Sequence, residues 1–345
     1  MVDEKQKLMN TPQPRVVGGI FKRTAIRLMK VVGIVAVWLL IFGIILWNWP
    51  TGFYTLATAV ARATSGLHLK YVQVRGIPTP VLEGGENADD STDSAQIQRT
   101  TILFVHGWGT SKEAMMGEMG WFNSTRRVIA PDLPGFGDNP LQDGQPALDG
   151  AGYVKWLEDF RVAAKLGRVD VVGESMGAAL AAAYAAAYPD SVRRIVLQSA
   201  AGLVAPHSNT FMSKISAGEN PLLIENGDDF DRVIGLCFAK PPPIPKPYKA
   251  FLVARALSMQ NRQLEMITAM RDFLLRGNTD ILGLIRAPTL IIYGSADQIT
   301  DASLMDVYRA GIAHSTGLII PGAGHVVFYD APQQTYRAIK DFLDF

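Results

Sequence analysis

A chain of 345 residues is long enough for one large domain or two small ones. Apolar residues make up 48% and charged residues 19%, with a net charge of +1, which excludes a broadly basic nucleic-acid surface and a disordered acidic chain. A single cysteine, Cys237, excludes an internal disulfide and a CxxC motif and reads as core, while histidines without HExxH spacing offer no metal site.

Residues 1–30 lead into Val31 to Trp49, VVGIVAVWLLIFGIILWNW, a stretch without a charge. Its length is near the ~20 residues a helix needs to cross ~30 Å of hydrocarbon, and Trp47 and Trp49 stand where aromatic rings favour the interface. Lys5, Lys7, Arg15, Lys22, Arg23, Arg27 and Lys30 precede it, whereas Arg62 alone follows closely. That bias places the N-terminus in the cytoplasm and the rest of the chain across the membrane, which is the periplasm if the source is bacterial. Ala59, Val60 and Ala61 offer an AxA cleavage pattern, but the apolar stretch is longer than the about 7 to 15 residues of a cleaved signal, so an uncleaved anchor is expected.

Thr51 to Thr64 reads as a membrane-proximal helix, and LKYVQV, Leu69 to Val74, alternates like an exposed strand, with VLEGG as a partner strand. Glu86 to Gln98 is acidic, hydroxyl-rich and without apolar period, so it reads as a surface loop. From Thr101 onward, ILFVHG, RVIAPD, VDVVGES, RRIVLQSA, TLIIYGSAD and TGLIIPGAGH are short apolar runs separated by helical stretches. Continuous apolar runs suit strands buried on both faces, so a mostly parallel sheet flanked by helices is expected. Residues 207–286 interrupt the series with helical stretches and the rigid KPPPIPKP, which reads as a helical cap over the sheet edge where the strands end. The core is then residues 67–206 and 287–345. Met212, Met259, Met266 and Met270 are candidates for an adaptable pocket under the cap, although plain core packing is the simpler reading of each.

The run VDVVGESMG places Ser175 between Gly173 and Gly177, after a strand and before an alanine-rich helix. G-x-S-x-G in that setting holds a serine hydroxyl on a strained turn at a helix N-terminus, where negative charge is favoured. A serine nucleophile needs a base, and the base a carboxylate to hold its tautomer. Asp297 and His325 each follow a predicted strand, and parallel strands bring such ends to one edge. Asp297 is preferred to Asp301 because it is nearer its strand. The turn His106-Gly107-Trp108-Gly109 after ILFV supplies backbone N–H groups, so the Trp108 and Met176 amides are assigned to an oxyanion hole. His106 reads as structural, and Asp132 in PDLPGFG as a turn-forming carboxylate.

With those residues placed, Leu67 to Phe345 resembles the α/β-hydrolase superfamily through VLEGGE, ILFVHGWG, PDLPGFG, GESMG, IIYGSAD and GAGH, in that order. The order Ser, Asp, His is also that of this fold. More narrowly, the anchor, YPDSVRRIVLQSAAGL and NPLLIENGDDFDRVI are similar to membrane-anchored monoacylglycerol lipases and related bacterial lipases. Glu174 stands where those lipases commonly have histidine. The resemblance implies hydrolysis of carboxylic esters of glycerol or similar lipids without a cofactor, with the bilayer and its lipids as partners. A carbon–carbon hydrolase using the same triad and a non-catalytic anchored binding protein remain the alternatives.

Overall fold

The computed structural model describes residues 17–85, 100–142, 144–275 and 277–344. The expected loop at Glu86 to Gln98 and the cations Lys5, Lys7 and Arg15 lie outside the described residues. Helix α1 (Val17–Trp47) contains Leu28–Trp47, 20 residues long and apolar enough to cross a membrane, with its side chains uncovered by the rest of the protein. Helix α2 (Pro50–Thr64) starts almost at once on Pro50, whose fixed φ and missing N–H suit a first helical position. Helix α1 thus passes almost directly into a second helix, with Trp47 and Trp49 at the junction.

Eight strands follow among the described residues: β1 (His68–Val74), β2 (Ile77–Gly84), β3 (Ile102–Val105), β4 (Val128–Pro131), β5 (Val169–Glu174), β6 (Val192–Gln198), β7 (Thr289–Gly294) and β8 (Ser315–Ile320). They form one sheet in the order β1-β2-β4-β3-β5-β6-β7-β8. β1 and β2 pair antiparallel through a tight turn in which Arg75 (φ 52°) and Gly76 (φ 80°) both take the left-handed conformation that two-residue hairpins favour. β2 meets β4 antiparallel, and every pairing from β4 through β8 is parallel.

The helices of the main body are α3 (Met116–Phe122), α4 (Gly150–Ala163), α5 (Met176–Ala187), α6 (Thr210–Ser216), α7 (Gly227–Cys237), α8 (Lys246–Ser258), α9 (Gln260–Leu275), α10 (Leu304–Gly311), α11 (Val327–Asp330) and α12 (Pro332–Asp344). Alternation of side chains along each strand divides the core in two. Val171 on β5 joins the face covered by Tyr153, Leu157, Leu180, Tyr184 and Tyr308, whereas Val172 joins the face covered by Met119, Phe122, Ile339 and Leu343. Leu180 and Tyr184 are buried on α5, and its alanines let that helix lie close against the sheet. Met266 and Met270 are fully buried in the first core, while Met212 and Met259 are half-buried.

Between β6 and β7 lie α6 to α9 and no strand among the described residues. Helix α8 packs on α2, where Tyr54 stacks on Phe251 at 3.9 Å between ring centroids and meets Tyr248 at 5.2 Å. Helix α2 therefore rests on the helices between β6 and β7.

Candidate functional site

Ser175 is the single residue between β5 and α5, with φ 55° and ψ −116°. A non-glycine residue there is held at a cost of about 1–3 kcal/mol, which the surroundings must impose. They do so through the Ser175 N–H, which donates to the Gln198 carbonyl at 2.9 Å, and the Ser175 carbonyl, which accepts from Ala178 and Ala179 at 3.1 Å. Both flanking glycines are needed. A Cβ on Gly173 would collide with the Gly177 backbone, and one on Gly177 would collide with the Val105 and His106 carbonyl oxygens.

The turn after β3 lies against this serine: a Cβ built on Gly107 would come within 3.2 Å of Ser175 Cβ. His106 at its head is buried, with Nδ1 at 2.9 Å from the Gly107 carbonyl oxygen and Nε2 accepting the Leu133 N–H at 3.1 Å. Both ring nitrogens are thus occupied by backbone, and burial lowers the His106 pKa despite nearby Asp132. Asp132 ties the turn to its neighbour, accepting the Lys112 N–H (2.8 Å) and the Asp138 N–H (2.7 Å). The Glu113, Asp132 and Asp138 carboxylates converge on the fully buried Lys112 Nζ at 3.0, 2.8 and 2.9 Å. The lysine thus occupies the centre of that acidic group. Met176 opens α5, so its N–H is in the first turn, where no carbonyl of the same helix reaches it.

Asp297 and His325 meet. Asp297 Oδ2 lies 2.8 Å from His325 Nδ1, and Oδ1 accepts the Ile299 and Thr300 N–H groups at 2.8 and 3.0 Å. Asp301 instead accepts the Ser303 N–H at 2.9 Å, before α10. Two further residues lock the pair. The Thr300 hydroxyl donates to Asp297 Oδ2 at 2.7 Å and lies 3.2 Å from His325 Nδ1, and the Ser199 hydroxyl donates to the His325 carbonyl at 2.7 Å. Burial alone would lower the His325 pKa, but the charge and hydrogen bond of Asp297, with Glu174 adding, raise it overall. Among the described residues the Ser175 hydroxyl makes no hydrogen bond, and His325 Nε2 faces a Glu174 oxygen at 3.5 Å instead.

Sequence reasoning did not identify Thr300, Ser199 or the direction of Glu174. The spacing Asp297-x-x-Thr300 is the one available signal, since a carboxylate commonly caps the N–H three residues on. Cys237, expected in the core, is half-buried where α7 ends. Its carbonyl accepts the Val326 N–H at 3.0 Å, and burial, with Glu174 and Asp297 nearby, pushes its thiol up to about 12.

A strained serine between strand and helix, and a carboxylate-bound histidine reached from two later strand ends, define an α/β-hydrolase arrangement. The chain belongs to the alpha/beta hydrolase fold family, whose model matches residues 100–332. Among curated proteins it is 25% identical over 308 residues to the human (Homo sapiens) monoacylglycerol lipase ABHD6, covering 86% of this chain and 88% of that protein. It is 24% identical over 263 residues to Lipase 1 of Psychrobacter immobilis, covering 73% and 80%. Among solved structures, a membrane phospholipase A described as a bacterial virulence factor superposes with a TM-score of 0.79 at 28% identity, covering 94% of this chain and 98% of that one.

Proposed function

We propose that this protein is a membrane-anchored serine hydrolase that cleaves carboxylic esters of lipids, such as monoacylglycerols, through Ser175, His325 and Asp297. The observation that carries the reading is the Asp297–His325 pair at 2.8 Å on the same sheet edge as the strained Ser175. The named activities of the relatives, two lipases and a phospholipase A, support an acyl-ester substrate. The apolar Leu28–Trp47 helix supports an anchor, with the N-terminus cytoplasmic and the hydrolase domain on the far side. Residues 207–286 serve as the cap over the site.

In the reaction His325 Nε2 takes the Ser175 hydroxyl proton as the oxygen attacks the ester carbonyl. That requires Nε2 to turn from Glu174 to the serine, an adjustment common when substrate enters a resting site. The Trp108 and Met176 amides hold the oxyanion, each such donor contributing about 3 to 4 kcal/mol to the transition state. His325 then passes its proton to the departing alcohol, and water, deprotonated by the same nitrogen, releases the acid from Ser175. These steps need no cofactor. The test is a hydrolysis panel of monoacylglycerols, triacylglycerols and simple esters over several chain lengths, with fluorophosphonate labelling of the parent and Ser175→Ala. Turnover of acyl esters and labelling should both vanish in the variant, whereas a parent that takes only very short soluble esters refutes the lipid reading.

A further inference from the structure

Glu174 precedes the nucleophile, and its side chain is almost completely buried. One oxygen lies 3.5 Å from His325 Nε2, and the other lies against Gly107, at the space a Cβ there would occupy. His325 is therefore bracketed by two carboxylates, Asp297 at Nδ1 and Glu174 at Nε2, the nitrogen that must accept a proton from Ser175. We propose that Glu174 is a positioning residue for the base: in the resting enzyme it holds a protonated Nε2 away from Ser175, and during turnover it stabilises the imidazolium. This rests on the assignment of Ser175 and His325 above.

The bracket makes the pair share charge. An imidazolium between two buried carboxylates is stabilised by both, so its proton leaves at higher pH than from the Asp297 contact alone. Burial first, then Asp297, raises the Glu174 pKa, and His325 and the Gly107 N–H oppose the rise, so Glu174 and His325 titrate together. Among the described residues the other titratable groups that act on them are Asp297 after β7, Glu118 on α3 and the Cys237 thiol at the end of α7. Among the described residues no lysine or arginine forms an ion pair with Glu174 or Asp297. A histidine at position 174 would supply no such anion, so the glutamate marks a pH response particular to this sequence.

The two parts of the proposal pull in opposite directions. Glu174 keeps the resting base protonated to higher pH, which suppresses activity in acid. Above that range the same charge favours the imidazolium of the transition state, which raises the plateau rate. The experiment is the pH profile of kcat/KM for the full chain in detergent, using a soluble aryl ester, for the parent, Glu174→Gln and Glu174→Asp. The parent acid limb should lie above the about 6.5 of a free imidazole. Glu174→Gln should move the limb down by about one unit or more and lower the plateau about tenfold, with KM little changed. Glu174→Asp, which keeps the charge, should retain most of the parent limb. A limb unmoved in Glu174→Gln overturns the proposal, because a purely structural carboxyl would lower the plateau alone. If Glu174→Gln fails to fold, a parent limb at or below 6.5 overturns it equally. Retained turnover in Ser175→Ala would instead overturn the serine-hydrolase reading.

Discussion

Behind the nucleophile, Glu118 on α3 is fully buried and accepts both of its hydrogen bonds from Gln198 Nε2, at 3.0 and 3.1 Å, while Gln198 Oε1 has no partner among the described residues. Burial, with Glu174 adding and Gln198 opposing, pushes the Glu118 pKa up from 4.5 to about 8. A folded-state pKa above the unfolded one means that stability present below about pH 4.5 is lost as pH rises towards 8. At 1.36 kcal/mol per unit, that loss reaches about 3 kcal/mol by pH 7 and about 5 kcal/mol at pH 9. Glu118→Gln removes the charge, and an amide there both accepts from Gln198 Nε2 and donates to the unpaired Gln198 Oε1. The variant should therefore melt close to the parent at pH 5 and at least about 5 °C above it at pH 9. Thermal melts followed by circular dichroism, on the full chain in one detergent at both pH values, measure this. An equal difference between parent and variant at pH 5 and pH 9 would show that Glu118 is not held protonated by its surroundings.

Two substitutions probe the geometry of the site itself. Gly177→Ala drives a Cβ into the Val105 and His106 carbonyls, so the variant should lose about 2 kcal/mol or more of stability together with most ester turnover, because the oxyanion turn must shift; a melting temperature within a degree of the parent refutes that packing. Thr300→Val removes the hydroxyl that holds Asp297 Oδ2 beside His325 Nδ1, and kcat should fall about tenfold with KM nearly unchanged, as expected when one charge-assisted hydrogen bond of roughly 1.5 kcal/mol is lost. Parent-like kcat in that variant would mean that Asp297 is held well enough by the Ile299 and Thr300 N–H groups alone.

The strands were legible because burial on both faces demands continuous apolar runs, and ILFV, VDVV, RRIVLQ and TLIIYG contain them. The segment TGLII also reads as a buried run, yet β8 is the sheet edge and is partly exposed. Apolar composition reports a tolerance for burial, and position in the sheet decides how far it is used. The expected Val31 to Trp49 stretch similarly overlaps a helix that runs from Val17 and ends at Trp47, since Pro50 starts a new helix just beyond.

At the site, the serine between two glycines and the carboxylate and histidine after later strands can be read from the sequence, because each depends on a local turn and the chain order. Tertiary structure decided where the side chains point. Whether the Glu174 carboxylate faces solvent or His325 depends on Gly107 leaving it room and on β8 delivering the histidine from 151 positions further along. Thr300, Ser199 and the stack of Tyr54 on Phe251 likewise acquire their partners from elements distant in the chain. A local pattern specifies backbone conformation, whereas a contact between distant segments exists only once the sheet order and helix packing have brought them together.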